Sequence, residues 1–126
     1  MNTATLQRQW LEGQEMLPRF REIGYVTLDL FHRDGRVDDG WLSLFPREFE
    51  LFWRLAQQPG VQVTKRELLE DVFRLSYEPE TNRIAVHVAR LRAKLAPHGL
   101  ASMIVTHPGG GYCIDAEMGA NVFQFE

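Results

Sequence analysis

The sequence predicts one α+β domain in which a small antiparallel sheet is followed by three helices and a C-terminal β-hairpin. Three observations predict this fold. Short strand-like runs with Asp-Gly turns precede residue 46, three segments with helical spacing of apolar residues occupy residues 46–96, and two short strands flank the glycines at residues 109–111. A chain of 126 residues, 44% of them hydrophobic, is sufficient for one core.

Residues 3–22 are predicted to form an N-terminal helix. Leu6, Trp10, Leu17 and Phe20 recur near one face of it, and the other positions are mostly polar. Such an apolar face serves either to pack the helix on its own domain or to dock it on a second copy or another partner. The sequence leaves both roles open.

The next segment predicts an antiparallel meander. Strand propensity is high over residues 25–30 and 41–45, with a short strand candidate at Arg36-Val37 between them. Asp-Gly signals at residues 32–35 and 38–40 are typical of tight turns. Because strands this short are unstable alone, the sheet is expected to cover helices.

Two helices are predicted after the meander. The first, residues 46–57, has a proline at its first position and repeats Phe49, Phe52 and Trp53 at core spacing. The second extends to about residue 74 and begins with a capping box, in which Thr64 and Glu67 satisfy free backbone amides.

The third predicted helix, residues 81–96, has the clearest functional signal. One stripe along it is apolar and comprises Ile84, Val88, Leu91 and Leu95. A second stripe is basic and polar and comprises Arg83, His87, Arg90 and Lys94. No Asp or Glu occurs between residues 81 and 114. A helix anchored by one stripe and presenting cations on the other suits a polyanion, of which duplex DNA is the obvious example.

The last predicted element is a hairpin of residues 103–106 and 112–114 around Pro108 and the glycines. Sheet, two helices, basic helix and hairpin together make a winged helix-turn-helix with a small N-terminal antiparallel sheet and a three-helix core. We accordingly divide the chain into a helical extension (residues 1–24), a winged-helix domain (residues 25–115) and a C-terminal tail (residues 116–126).

Positive charge is confined to one part of the sequence. The chain has a formal net charge of −3, to which residues 1–80 contribute −4, residues 81–114 +4 and residues 115–126 −3. A protein that coats nucleic acid without specificity is basic throughout. This distribution therefore favours binding directed by one surface.

Several classes of protein are not expected. No apolar run reaches the about 18 residues of a membrane helix, and the N-terminus lacks the apolar region of a secretory signal. The single cysteine, Cys113, permits no internal disulfide and favours a reducing cytoplasm. The four histidines lack ligand spacing, so neither a metal nor a cofactor is expected. No nucleophile–base pair or phosphate-binding glycine loop is present, so the sequence does not predict an enzyme.

From about residue 26 to residue 114 the chain resembles the DNA-binding effector domain of OmpR/PhoB-type bacterial response regulators. The matching motifs are LFPREFEL at residues 44–51, PG at 59–60, VTKRELL at 63–69, YEPETN at 77–82, VHV at 86–88, LR at 91–92, KL at 94–95, and Gly109 with GY at 111–112. Because so many motifs occur in the family's order, the resemblance supports the fold prediction strongly.

The resemblance implies that the basic helix is a recognition helix lying in the major groove. Positions expected to face bases or the adjoining backbone are Asn82, Arg83, Val86, His87 and Arg90. Arg92 and Lys94 are at positions that contact phosphate or support the helix, and Thr106 and Tyr112 are at wing positions near the DNA backbone and minor groove. Lys65 and Arg66, at a helix start, are expected to hold phosphate together with the free amides there. Residues 75–80 match the loop that contacts RNA polymerase in some relatives.

The sequence departs from the family pattern at several positions. Pro108 stands where relatives usually have a wing arginine, and Ala85 and Ala89 replace residues that are often polar. Phe45 replaces a helix-capping threonine, a loss that costs about 1 kcal/mol. A receiver domain does not fit within residues 1–25, so phosphorylation control within this chain is not expected.

Two functions remain open at this stage. The leading hypothesis is a sequence-specific double-stranded DNA-binding transcription regulator, with dimerisation through the N-terminal helix or the C-terminal tail to raise its affinity. The alternative is a winged-helix protein-interaction module with little or no DNA binding, which the uncharged wing and the acidic total favour.

Overall fold

The computed structural model describes residues 18–76 and 82–118, and the backbone pairing of residues 122–125. Its strands are β1 (Phe20–Ile23), β2 (Val26–Asp29), β3 (Asp34–Val37), β4 (Gly40–Trp41), β5 (Ile104–Thr106), β6 (Tyr112–Ile114) and β7 (Val122–Phe125). Its helices are α1 (Pro46–Leu55), α2 (Lys65–Asp71) and α3 (Arg83–Leu95). One antiparallel sheet has the order β4-β3-β2-β1-β7, and β5 pairs with β6 in a separate hairpin.

The predicted N-terminal helix is wrong over residues 20–22, which belong to β1. Residues along β1 alternate in burial, with Arg21 and Ile23 inward, and Gly24 at φ 58° turns the chain into β2. Burial with a period of two and a glycine at positive φ favour a hairpin over a helix end. The predicted boundary between residues 24 and 25 therefore falls inside this hairpin. Residues 3–17 of the predicted helix lie outside the described residues.

The meander is confirmed, although its turns are displaced from the predicted positions. Asp34 and Gly35 lie in β3, and the predicted strand at residues 41–45 ends at Trp41. The Asp34 carboxylate accepts hydrogen bonds from the backbone amides of Ser43 and Leu44, and Ser43 has a φ of 62°. These local bonds replace strand pairing there, because a positive φ does not fit a regular strand.

The helix caps agree in part with the predictions. The Phe45 amide donates to the Glu48 carboxylate over 2.9 Å, so one of the amides before α1 is satisfied without a capping hydroxyl. Thr64 caps α2 by accepting from the Glu67 amide over 3.1 Å. The Glu67 carboxylate, expected to complete the capping box, instead accepts from the Arg54 side chain. α2 ends at Asp71, three residues before the predicted position.

A single core joins the inner face of the sheet to the helices and the hairpin. Its fully buried side chains include Leu28, Phe49, Phe52, Leu68, Leu91 and Ile114. Arg21 lies at the edge of this core, where it donates to the Trp53 carbonyl over 2.9 Å and its guanidinium lies 4.1 Å from the centroid of the Trp53 ring. Burial lowers the pKa of Arg21 to about 10, so Arg21 remains charged at neutral pH and links the sheet to α1.

The hairpin is attached to the segment that connects α1 with α2. Val63 and Tyr112 exchange two backbone hydrogen bonds of 2.8 and 3.0 Å, and the Gly60 amide donates to the Ile114 carbonyl. The Gln62 side chain donates to the Gly110 carbonyl over 2.7 Å. The wing is therefore held in a defined position beside α3.

Candidate nucleic-acid interface

Burial divides α3 into a buried stripe, an exposed face and two half-buried flanks. The buried residues are Ile84, Val88, Leu91 and Leu95, as predicted. The exposed residues are Arg83, Ala85, Val86, Ala89, Arg90 and Ala93, with Asn82 exposed just before the helix. His87, Arg92 and Lys94 are intermediate. All four residues of the basic stripe were expected to face outward; Arg83 and Arg90 are exposed, whereas His87 and Lys94 are half-buried.

Lys94 is engaged with the beginning of α1. Its Nζ lies 2.5 Å from Glu48 Oε1 and 2.7 Å from the Ser43 carbonyl oxygen, and it lies 3.7 Å from the centroid of the Phe45 ring. Glu48 is only 1% exposed, and its Oε2 atom has no hydrogen-bond partner among the described residues. Since a buried carboxylate requires a compensating cation, Lys94 stabilises Glu48 and joins α3 to α1.

We expect Lys94→Met to lower the free energy of unfolding by about 2 kcal/mol, because the aliphatic stem remains while Glu48 loses its cation. Urea denaturation at pH 7 measures this change. Arg90→Met is the matched control, since it removes an exposed cation from the same helix and should cost less than about 0.5 kcal/mol. Glu48→Gln in the Lys94→Met background should recover part of the loss. Equal free energies of unfolding for Lys94→Met and Arg90→Met would contradict the assignment of Lys94 as the cation that stabilises Glu48.

Arg92 connects α3 to the wing on the other flank. Its guanidinium donates two hydrogen bonds of 3.0 and 2.8 Å to the Ile104 carbonyl and one of 3.1 Å to the Thr106 hydroxyl. It also lies 5.8 Å from the centroid of the Tyr112 ring, and Tyr112 is 7% exposed. Arg92 and Tyr112 therefore hold the wing against α3, whereas Thr106 lies at the surface.

His87 is held in one orientation by two contacts. Its Nδ1 lies 2.7 Å from the Arg83 carbonyl oxygen, and its ring meets the Phe73 ring edge-on with 5.1 Å between centroids. Because a carbonyl oxygen only accepts, Nδ1 must bear the proton. In the neutral ring Nε2 is then the acceptor.

The remaining predicted positions lie on α2 and the wing. Lys65 and Arg66 are exposed, and Arg66 forms an ion pair with Glu70 at 3.3 Å. The wing sequence has no Lys or Arg between residues 104 and 114. At its tip Pro108 is exposed, and the Gly109 amide donates to the His107 ring over 3.0 Å. The tip of the wing therefore has a local hydrogen bond of its own, and the wing carries no lysine or arginine.

Three further observations concern the Cys113 thiol, metal ligands and membrane-spanning helices. Burial, together with the nearby Asp115 charge, raises the pKa of the Cys113 thiol, which stays protonated at neutral pH. Among the side chains that the structure describes, no group of three or more His, Cys, Asp or Glu is placed to hold a metal ion. No helix in the described part of the chain is long and apolar enough to cross a membrane.

Two features of this surface were not predicted. The first is the Glu48–Lys94 pair, which joins residues 46 positions apart. The only local signal for it is that Glu48 lies three positions after Phe45, where an acidic side chain can cap a helix.

The second feature is that the exposed face of α3 is apolar at its centre. Val86 was expected to face bases, whereas its exposed neighbours Ala85, Ala89 and Ala93 were not. The sequence contained the signal, because at 100° per residue Val86 and Ala89 lie roughly opposite the buried stripe.

The fold and the basic, exposed α3 define a winged-helix domain of the kind used by bacterial transcription regulators. Residues 39–114 match the family model described as "Transcriptional regulatory protein, C terminal". This match covers more than half of the chain, and the chain belongs to that family. The predicted OmpR/PhoB-type resemblance is confirmed.

The curated relatives are response regulators. The chain is 40% identical over 67 residues to the response regulator SaeR of Staphylococcus epidermidis, a match covering 52% of this chain and 29% of SaeR. It is 29% identical over 93 residues to the heme response regulator HssR of Staphylococcus aureus, covering 74% and 42% respectively. The chain thus spans less than half the length of these relatives.

Solved structures confirm the winged-helix fold. The DNA-binding domain of CpxR from E. coli superposes with a TM-score of 0.69 at 27% identity, covering 76% of this chain and 95% of the CpxR domain. The Klebsiella pneumoniae RstA DNA-binding domain, solved in complex with the RstA box, has a TM-score of 0.67 at 23% identity, covering 77% and 97%.

Proposed function

We propose that this chain is a sequence-specific DNA-binding domain of a transcription regulator and that α3 enters the major groove of duplex DNA. The observation that carries the proposal is the exposed face of α3, which presents Arg83 and Arg90 while the opposite stripe is anchored in the core. The absence of acidic residues from residue 81 to residue 114 removes local repulsion of phosphate. The DNA-bound RstA domain has the same fold, which supports this geometry.

The accessible residues divide into two groups in this proposal. Residues on α3 or directly before it contact base edges or the adjoining backbone: Asn82, Arg83, Val86, His87 and Arg90. Residues on α2 and the wing contact phosphate: Lys65, Arg66 and Thr106. We assign Lys94, Arg92 and Tyr112 to support rather than to DNA contact, because their side chains are engaged within the domain.

The test is selection from a random-sequence duplex pool at low salt, followed by titration of the selected site between 50 and 200 mM salt. With about four phosphates neutralised, affinity should fall roughly 150-fold over this range, because each contact contributes about −0.9 to the log–log slope. No retained DNA at 50 mM salt would contradict the proposal. The second candidate function, a protein-interaction module, would then be favoured, because it does not require basic residues in the wing.

Contact with RNA polymerase and dimerisation stay predictions. Residues 77–80 of the proposed polymerase loop lie outside the described residues. The backbone of β7 in the C-terminal tail pairs with β1 of the same chain. We therefore favour the N-terminal segment for dimerisation, and we expect a cytoplasmic location from the proposed DNA target.

A further inference from the structure

The centre of the exposed face of α3 is apolar rather than charged. Val86 is 44% exposed, and Ala85, Ala89 and Ala93 are exposed beside it. The contacts of His87, Arg92 and Lys94 draw these three polar side chains to the flanks. The part of the recognition helix that projects farthest from the core therefore offers methyl groups.

Small apolar side chains have one complementary group in the major groove. Every base edge there presents hydrogen-bond donors or acceptors, and thymine alone adds a C5 methyl group. Alanine and other short apolar side chains contact that methyl, whereas they leave the polar base edges unpaired. The composition of this face therefore favours thymine.

The surroundings of the apolar face favour DNA over a protein partner. Arg83 and Arg90 are exposed on the same helix beside it, and no acidic residue occurs on α3. The face itself consists of one valine and three alanines and lacks the aromatic anchors that dominate the energetics of protein interfaces. Duplex DNA fits this surface, because its phosphates attract the arginines and the thymine methyl groups in its major groove can contact the apolar centre.

We propose that Val86, with Ala85 and Ala89, recognises thymine methyl groups, so that this domain selects sites with thymine at defined positions. The inference rests on the proposed DNA binding and specifies the base chemistry of that site. Arg83 and Arg90 set the position of α3 in the groove, and the apolar residues discriminate thymine from the other bases there. A 5-methylcytosine carries the same methyl group and can satisfy the same contact.

The experiment replaces thymine by deoxyuridine, one position at a time, in the duplex selected by the wild-type protein. Burial of one methyl group contributes about 0.8 kcal/mol, which corresponds to roughly fourfold in affinity. We expect a loss of about fourfold at each recognised thymine and no loss at thymines outside the contacted segment. The salt slope should stay unchanged, because no phosphate contact is removed.

Val86→Ala assigns the contact to a residue. The variant removes two methyl groups from an exposed position, so the fold should be retained, and the thymine-to-uracil affinity ratio should fall towards one at a single position. Val61→Ala is the matched control, because Val61 is 48% exposed and lies in the connection between α1 and α2 rather than on α3. This control should leave every ratio as in the wild type.

The outcomes separate the two proposals. Equal affinity for thymine and uracil duplexes at every position would overturn the thymine inference and leave the proposed DNA binding intact. A ratio that survives Val86→Ala would overturn the role of Val86. No binding to any thymine duplex would overturn both proposals.

Discussion

Gly111→Ala is expected to lower the free energy of unfolding by about 3 kcal/mol or more, because two separate penalties coincide at this position. Gly111 has a φ of 74°, which is unfavourable for an alanine. A Cβ there would lie 2.0 Å from the Val63 carbonyl oxygen and 2.8 Å from the Thr64 Cα, and both are backbone atoms. The same Val63 carbonyl accepts from the Tyr112 amide, so relief of the clash would also disturb the attachment of the wing.

Gly99→Ala separates the two penalties. Gly99 has almost the same φ of 72°, but a Cβ at residue 99 would meet nothing within 4 Å. The control should therefore cost only the about 1 kcal/mol of the left-handed conformation. Urea denaturation of both variants gives the comparison. A Gly111→Ala cost no larger than the Gly99→Ala cost would show that the close approach to Val63 does not hold in solution.

The double variant Arg83→Ala/Arg90→Ala is expected to bind the selected duplex roughly 100-fold more weakly than the wild type. Each arginine contributes about 1–3 kcal/mol if it contacts a base edge, and less if it contacts phosphate. Both side chains are exposed on α3, and neither has a described ion pair within the domain, so their removal should leave stability close to the wild-type value. Fluorescence anisotropy with a labelled duplex measures the affinity.

The salt slope distinguishes the role of each arginine. A single variant that loses a phosphate contact should reduce the slope by about 0.9 and weaken all sequences alike, whereas loss of a base contact relaxes selection at one position. Arg36→Ala is the matched control, because Arg36 is an exposed arginine on β3 that stacks on Trp41 and lies on the sheet. Wild-type affinity in the double variant would exclude both residues from the interface.

Local chemistry was sufficient to predict several elements. Ile84, Val88, Leu91 and Leu95 repeat at helical spacing, so their burial follows from the geometry of one helix. The Thr64 cap and the hairpin around Gly111 likewise depend on residues a few positions apart. Such interactions need no knowledge of distant residues, and the sequence alone was enough to find them.

β1 was mispredicted because a helix and a strand were both compatible with its local pattern. Residues 20–22 were assigned to the predicted helix because Phe20 follows Leu17 by three positions and continues the apolar face of that helix. Pairing with β2 on one side and β7 on the other satisfies the backbone of this segment in extended form. Tertiary pairing therefore outweighed the local preference.

The sequence by itself determined the order of the elements from β2 to β6, the buried stripe of α3 and the presence of a basic helix within an acidic chain. Only the tertiary structure decided which basic side chains remain accessible. Lys94 contacts Glu48 because the buried carboxylate needs a donor. Arg92 donates to the backbone carbonyl of Ile104, which likewise needs a hydrogen-bond partner. The cost of leaving such groups unpaired depends on burial, which a linear pattern of charges does not contain.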